Sequence, residues 1–290
     1  MKILVALDGS DAAFNAMRSS CIIAAKTNSY ITAFYVNKGT EYSPEETGWT
    51  SIKERISREL ESFGHEVIHK AYQIGKEFGV PVEGIISDGI PAPEITKYVD
   101  AHGIIKLVAM GHSSKGRGAQ EFVESTAKNI IATSKVPVFV TNTEINISNV
   151  LIAVDDSEAS KKIAGFGGSL AKSLGASLGI ISFVPDSEAI IDEYRLIAEV
   201  PNIERHIEAS EKALAEMIER ATTAAIDVLS TMDIKVSSIV KKVKSDEIIS
   251  EMGGHDLLIL GVKGGPSQKK LSRIANKILN SHEISTIFVQ

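Results

Sequence analysis

Two passages in the chain have residue types and spacing suited to holding an anion. The first is Leu107-Val108-Ala109-Met110-Gly111-His112-Ser113-Ser114-Lys115-Gly116-Arg117-Gly118, an apolar run that breaks into glycine, serine and basic residues. A helical pattern follows at Phe122-Val123-Glu124-Ser125-Thr126-Ala127. Strand, polar loop and helix in that order can cradle a phosphate. Glycine lets backbone approach a ligand, and a helix start offers unpaired N–H groups to a negative charge. The second passage, Leu257-Leu258-Ile259-Leu260-Gly261-Val262-Lys263-Gly264-Gly265, has the same form near the C-terminus. A plain βα connection that uses glycine to turn is the alternative at both places.

Two carboxylates recur in the same way. Ile3-Leu4-Val5-Ala6-Leu7-Asp8-Gly9-Ser10 aligns without a gap on Val150-Leu151-Ile152-Ala153-Val154-Asp155-Asp156-Ser157. An aspartate after a strand can brace the turn into the next helix. A shared ligand contact is the other reading, and duplication preserves either. His102, His112, His255 and His282 lack the spacing of a metal site. His112 is expected to be a solvated loop residue, and Lys241, Lys242 and Lys244 a solvated turn. No nucleophile–base pair is recognisable from local sequence.

These residues are positioned by alternating elements. Ile3–Leu7 reads as a strand, and Phe14, Met17, Cys21 and Ala25 fall at helical spacing after it. Tyr30–Val36 is a strand, a loop spans Asn37–Gly48, and Trp49 opens a long amphipathic helix ending at Gly79. Val82–Ser87, Pro91–Ala101, Ile104–Met110, Glu121–Ser134 and Val136–Thr141 continue the alternation. After the polar stretch Asn142–Ser148 the same order returns. A period of about 147 residues exceeds any solenoid unit and marks a duplicated domain, with residues 1–145 in one copy and 146–290 in the other.

Alternating strands and helices predict parallel strands with right-handed crossovers. Strands apolar on both faces predict helices on both sides of the sheet. Each half is therefore read as α/β, a five-stranded doubly wound domain. Its crevice lies at the carboxyl ends of the first and fourth strands, beside Asp8 and Gly111.

Composition narrows the classes. The 290 residues are 43% hydrophobic and 23% charged, a globular balance. The formal net charge of -6 disfavours nucleic acid as a partner. No apolar run reaches the ~18 residues of a membrane span, and the opening Lys2–Leu7 reads as a strand rather than a leader. The single cysteine, Cys21, sits on an apolar helix stripe and reads as a buried structural thiol. A reducing, cytoplasmic setting is expected.

The paired starts, the strand ends Val36 and Val184, the stretch Met110-Gly111…Ser125-Thr126-Ala127 and the ending Val136-Pro137-Val138-Phe139-Val140 resemble the universal stress protein family in its tandem form. The resemblance implies a Rossmann-like (adenine nucleotide alpha hydrolase-like) fold and pairing of the halves as an internal pseudo-dimer through their last strands. A further homodimer stays open. One branch of the family binds ATP through glycine, two residues, glycine, nine residues, then glycine and serine or threonine. By similarity Asp8 takes ribose hydroxyls, Ala6 and Val36 line the adenine, the backbone at Gly111 and Ser113 with Ser125 and Thr126 at the helix start holds the phosphates, and Met110 and Ser114 belong to the same site. Ser114 replaces the second glycine, and Glu124 replaces the third, where a carboxylate repels an anion. Asp155, Val184, Gly261 and Gly264 are the counterparts in the second half, whose loop is about two residues shorter and places Ser272-Arg273 at the helix start. The resemblance implies a regulatory stress protein that binds ATP, AMP or another adenine nucleotide. An interaction module without nucleotide and a slow ATP hydrolase are the alternatives.

Overall fold

The computed structural model describes residues 1–37, 50–112, 126–183, 203–243, 248–252, 255–262, 271–281 and 283–290. The first half runs β1 (Lys2–Leu7), α1 (Asp11–Lys26), β2 (Tyr30–Asn37), α2 (Thr50–Glu77), β3 (Val82–Asp88), α3 (Pro91–Ala101) and β4 (Ile105–Gly111). It continues with the helical residues 126–133 (α4) and β5 (Val138–Thr141). The second half repeats the series as β6 (Asn149–Val154), α5 (Glu158–Leu174), β7 (Ser177–Phe183), α6 (Ile203–Thr231), β8 (Val236–Val243), α7 (Ile248–Glu251), β9 (Leu257–Gly261), α8 (Arg273–Ser281) and β10 (Thr286–Val289).

Ten strands form one sheet in the order β3-β2-β1-β4-β5-β10-β9-β6-β7-β8. Pairing within each half is parallel, and the two halves join by the antiparallel pair β5–β10. The expected five-stranded halves are thus fused edge to edge, at the terminal strands. Ile287 lies opposite Phe139 there, and the Thr141 and Ser285 hydroxyls meet at 2.7 Å. Joining the two edges removes the rows of unpaired backbone groups that each half would otherwise expose.

Period-two burial explains the layers. Ile3, Val5 and Leu7 enter one apolar layer with α1, α2, α5 and α6, whereas Leu4 enters the opposite layer with α3, α4 and α8. Both layers run across the seam. Phe34, Phe139 and Phe288 are among the largest fully buried side chains, each stabilising the fold by about 1.5–3 kcal/mol. Among the described residues, no helix is long and apolar enough to cross a membrane.

Several boundaries and environments differ from the sequence reading. His112 is buried, not solvated: only 3% of it is exposed. Its N–H donates to the Thr141 carbonyl at 3.1 Å, and its side chain lines a small cavity at the seam with Ile278, Leu279 and Phe288. The strand pairing that fuses the halves draws it inward. Lys241 and Lys242 lie in β8 rather than in a turn, because that strand continues to Val243. Trp49, Lys244 and the loop that follows Asn37 lie outside the described residues.

Candidate functional site

In each half the chain leaves the first strand toward one side and reaches the fourth strand on the other, so the strand order reverses between β1 and β4 and between β6 and β9. A crevice opens at the carboxyl ends of such strand pairs. In the first half it is a cleft of about 210 Å³. Ala6, with Phe34 and Met110 beside it in register, forms the floor. Val36, Leu60, Pro91 and Ile95 add apolar walls from β2, α2 and α3. Asp8, Gly111 and Thr126 bring polar atoms and backbone to the rim.

Local chemistry explains how Asp8 is held. Its Oδ1 accepts from the Ser10 N–H at 2.9 Å and the Ser10 hydroxyl at 2.6 Å. Ser10 in turn caps α1, its Oγ accepting from the Ala13 N–H at 3.2 Å. Gly9, between them, has φ +85°, and a Cβ there would lie 2.5 Å from Cζ of Phe63. The turn therefore needs glycine. Asp8 is exposed while bracing the cap residue, so it combines the helix-bracing and cleft-lining placements. Tyr35, beside it in the wall, is buried. That burial pushes its hydroxyl pKa up, and the Asp8 carboxylate adds to the rise.

Gly111 has a packing reason of its own. A Cβ on it would sit 2.4 Å from backbone atoms of Ala12 and Ala13. The glycine thus lets β4 end directly against the first turn of α1, which narrows the crevice to its floor.

The second half forms the equivalent but smaller cleft, about 80 Å³, with Asp155, Gly261, Ser272 and Ile274 among its lining residues. Asp156 stands at the place of Gly9 and is paired with Arg220 of α6 at 3.0 Å. Ser272 caps α8: its Oγ accepts from the Ala275 N–H at 3.1 Å and its carbonyl from the Asn276 N–H at 2.9 Å. That hydroxyl is engaged in the helix start.

The structure thus brings Ala6, Asp8, Val36, Met110, Gly111 and Thr126 to one cleft and Asp155 and Gly261 to another. Ser113, Ser114, Ser125, Val184, Gly264 and Glu124 lie outside the described residues. Leu7 pairs with Tyr35 and Val154 with Ser182, so the register puts Phe183, one residue before Val184, at the place of Val36. Phe34, Tyr35, Leu60, Pro91 and Ile95 are cleft residues that the motif reading did not single out. The β-branched and aromatic run of β2 marks Phe34 and Tyr35 as strand residues, whereas Leu60, Pro91 and Ile95 are distant in sequence from the cleft motifs and carry no such signal. Among the described residues, no group of three or more His, Cys, Asp or Glu converges on a metal position.

Known proteins place this architecture. A structure of a universal stress protein from Archaeoglobus fulgidus superposes with a TM-score of 0.66 at 16% identity, covering 100% of this chain and 96% of that one. A functionally unknown protein from Pseudomonas aeruginosa gives 0.57 at 16% identity over 99% and 92%. In sequence, a universal stress protein of Methanocaldococcus jannaschii is 28% identical over 141 residues, 48% of this chain and 80% of its own length. The model of the universal stress protein family matches residues 1–142 and again 146–290. With one match in each half, and a fold shared along its whole length, the chain belongs to the universal stress protein family.

Proposed function

We propose that the first half binds an adenine nucleotide in the β1/β4 cleft, and that the protein acts as a nucleotide-responsive regulatory module in a stress response. The observation that carries this reading is the convergence of Asp8 with Ala6, Val36, Met110 and Gly111 on one cleft. An apolar slot with a few polar groups at one end is the usual form of a small-molecule site. A planar base suits the walls from Val36, Pro91 and Ile95. A ribose diol suits the carboxylate at the rim, since hydroxyls donating to an ionised oxygen make strong hydrogen bonds. Phosphates then extend toward Gly111 and Thr126 at the rim.

The proposed role is binding rather than turnover. Phosphoryl transfer calls for a positioned water or base and usually a metal ion. One oxygen of Asp8 accepts from Ser10 at the helix cap, and that bracing fixes the carboxylate in a position to hold a ligand.

Calorimetric titration of the full chain with AMP and with ATP tests the reading. One binding event per chain is expected, with no ADP formed on incubation with ATP. No heat from either nucleotide moves the protein to the interaction-module reading, and steady ADP release moves it to the hydrolase.

A further inference from the structure

The two clefts differ at one position that touches the key carboxylate. Asp8, Ser10 and Ala13 in the first half stand at the same spacing as Asp155, Ser157 and Ser160 in the second. Ala13 is a buried methyl group that lines the first cleft. Ser160 is equally buried but carries a hydroxyl, and that hydroxyl lies within hydrogen-bond distance of three atoms of Asp155. The Asp155 N–H donates to Ser160 Oγ at 2.8 Å. Ser160 Oγ lies 2.7 Å from the Asp155 carbonyl and 2.9 Å from its Oδ1, so its single proton serves one or the other.

The same Oδ1 accepts from the Ser157 N–H at 3.2 Å and from the Ser157 hydroxyl. Oδ1 of Asp155 thus has the two Ser157 donors and a third when the Ser160 proton turns to it, where among the described residues Ser10 supplies the two donors to Asp8. A carboxylate has about four lone-pair sites for all its partners. The Ser160 proton on Oδ1 leaves one such site beside the two Ser157 donors, so a ligand that presents two adjacent hydroxyls competes with Ser160 for Asp155.

We propose that this position decides which half binds: Ser160 latches Asp155 and closes the second cleft to a nucleotide, and Ala13 leaves Asp8 available in the first. The inference rests on the reading of the first cleft as a nucleotide site. It assigns the selectivity between the halves to a side chain outside the glycine loops.

Exchanging the two side chains in the full chain tests it, with AMP as the titrant. Ala13→Ser installs the latch in the first half and is expected to weaken binding by about tenfold or more. Ala13→Cys adds similar bulk to the cleft wall with only a weak donor and is expected to lose clearly less affinity than Ala13→Ser. Ser160→Ala removes the latch and is expected to add a second, weaker binding event per chain. Thermal melting of each variant reports that the fold is kept. The latch is overturned if Ala13→Ser binds as wild type does, if Ala13→Cys is as damaging as Ala13→Ser, or if Ser160→Ala gains no second event. A wild-type chain that binds no adenine nucleotide overturns the reading of the first cleft as well. A wild type that binds while the variants fail these expectations overturns the latch alone.

Discussion

Gly111 ends β4 against the first turn of α1, so close that a Cβ would fall 2.4 Å from the carbonyl carbon of Ala12. The neighbour is backbone rather than a flexible side chain, so no rotamer change can relieve the contact. Strand and helix must separate to admit a methyl group.

Gly111→Ala is therefore expected to destabilise the protein by about 1–3 kcal/mol, the cost of overpacking a close-fitted site. The melting temperature should fall by several degrees. Gly103→Ala is the control: nothing lies within 4 Å of a Cβ there, and its effect should stay within about 0.5 kcal/mol. Equal melting temperatures for the two variants would show that the β4–α1 contact gives way freely. A loss of nucleotide binding by Gly111→Ala has to be judged against this effect, because the substitution widens the crevice as well as altering its rim.

Cys21 on α1 has no exposed surface, and burial pushes its thiol up to about 12. The sign of the linkage follows. Below the unfolded-state value of about 8.5 the thiol is protonated in both states and costs nothing. Between that value and 12 the unfolded chain ionises while the folded one does not. Stability is then expected to fall as pH rises, by up to about 1.4 kcal/mol per pH unit from this group. Cys21→Ala should lack that component, so denaturant midpoints of the two proteins should converge from pH 8.5 to 11. Native protein should also resist a thiol reagent that labels it at once in denaturant.

The seam between halves gives a third expectation. β5 is paired on one side by β4 and on the other by β10. A fragment of residues 1–145 would present β5 as a bare edge and uncover Phe139, which is fully buried in the whole chain. Unpaired apolar edges seek another strand. The fragment is expected to sediment as a dimer or larger species, and the whole chain to retain its seam on dilution. A monomeric, stably folded fragment would show that the pairing contributes little to stability.

Much of this architecture is legible in the residues. The apolar run of β1 and its copy in β6, buried on both faces, call for helices on both sides, and the sheet has them. The apolar terminal strands Val136–Thr141 and Thr286–Val289 do meet, although the first of them begins only at Val138. The buried state of Cys21 follows from its helix stripe. His112 does not follow, because its burial depends on a partner strand that comes from the other half. Lys241 and Lys242 mislead for a related reason: charged residues suit the exposed edge of a sheet, and β8 is the last strand in order. The floor and rim of the first cleft were readable from Ala6, Asp8 and Gly111. Its walls were not, since Leu60, Pro91 and Ile95 are far from those motifs in sequence and are gathered only by the crossovers.

The comparison between Asp8 and Asp155 separates the clefts most sharply. The two carboxylates occupy equivalent turns, and each accepts from the serine two residues on. A merely structural role would make them equivalent in every assay. Asp8, however, lines a cleft of about 210 Å³, and Asp155 one of about 80 Å³, with the buried Ser160 hydroxyl 2.9 Å from its Oδ1. Asp8→Ala is therefore expected to weaken adenine-nucleotide binding by about tenfold or more, the loss of charge-assisted hydrogen bonds to the sugar. Asp155→Ala should leave affinity unchanged and lower the melting temperature, because it strips partners from Ser157 and from the buried Ser160. Titration and thermal melting on both variants read the two effects separately. Equal losses of affinity would show that both halves bind. A fall in melting temperature from each, with no change in affinity from either, would leave both aspartates as braces for their helix turns and place the ligand, if one binds, elsewhere than at the β1/β4 crevice.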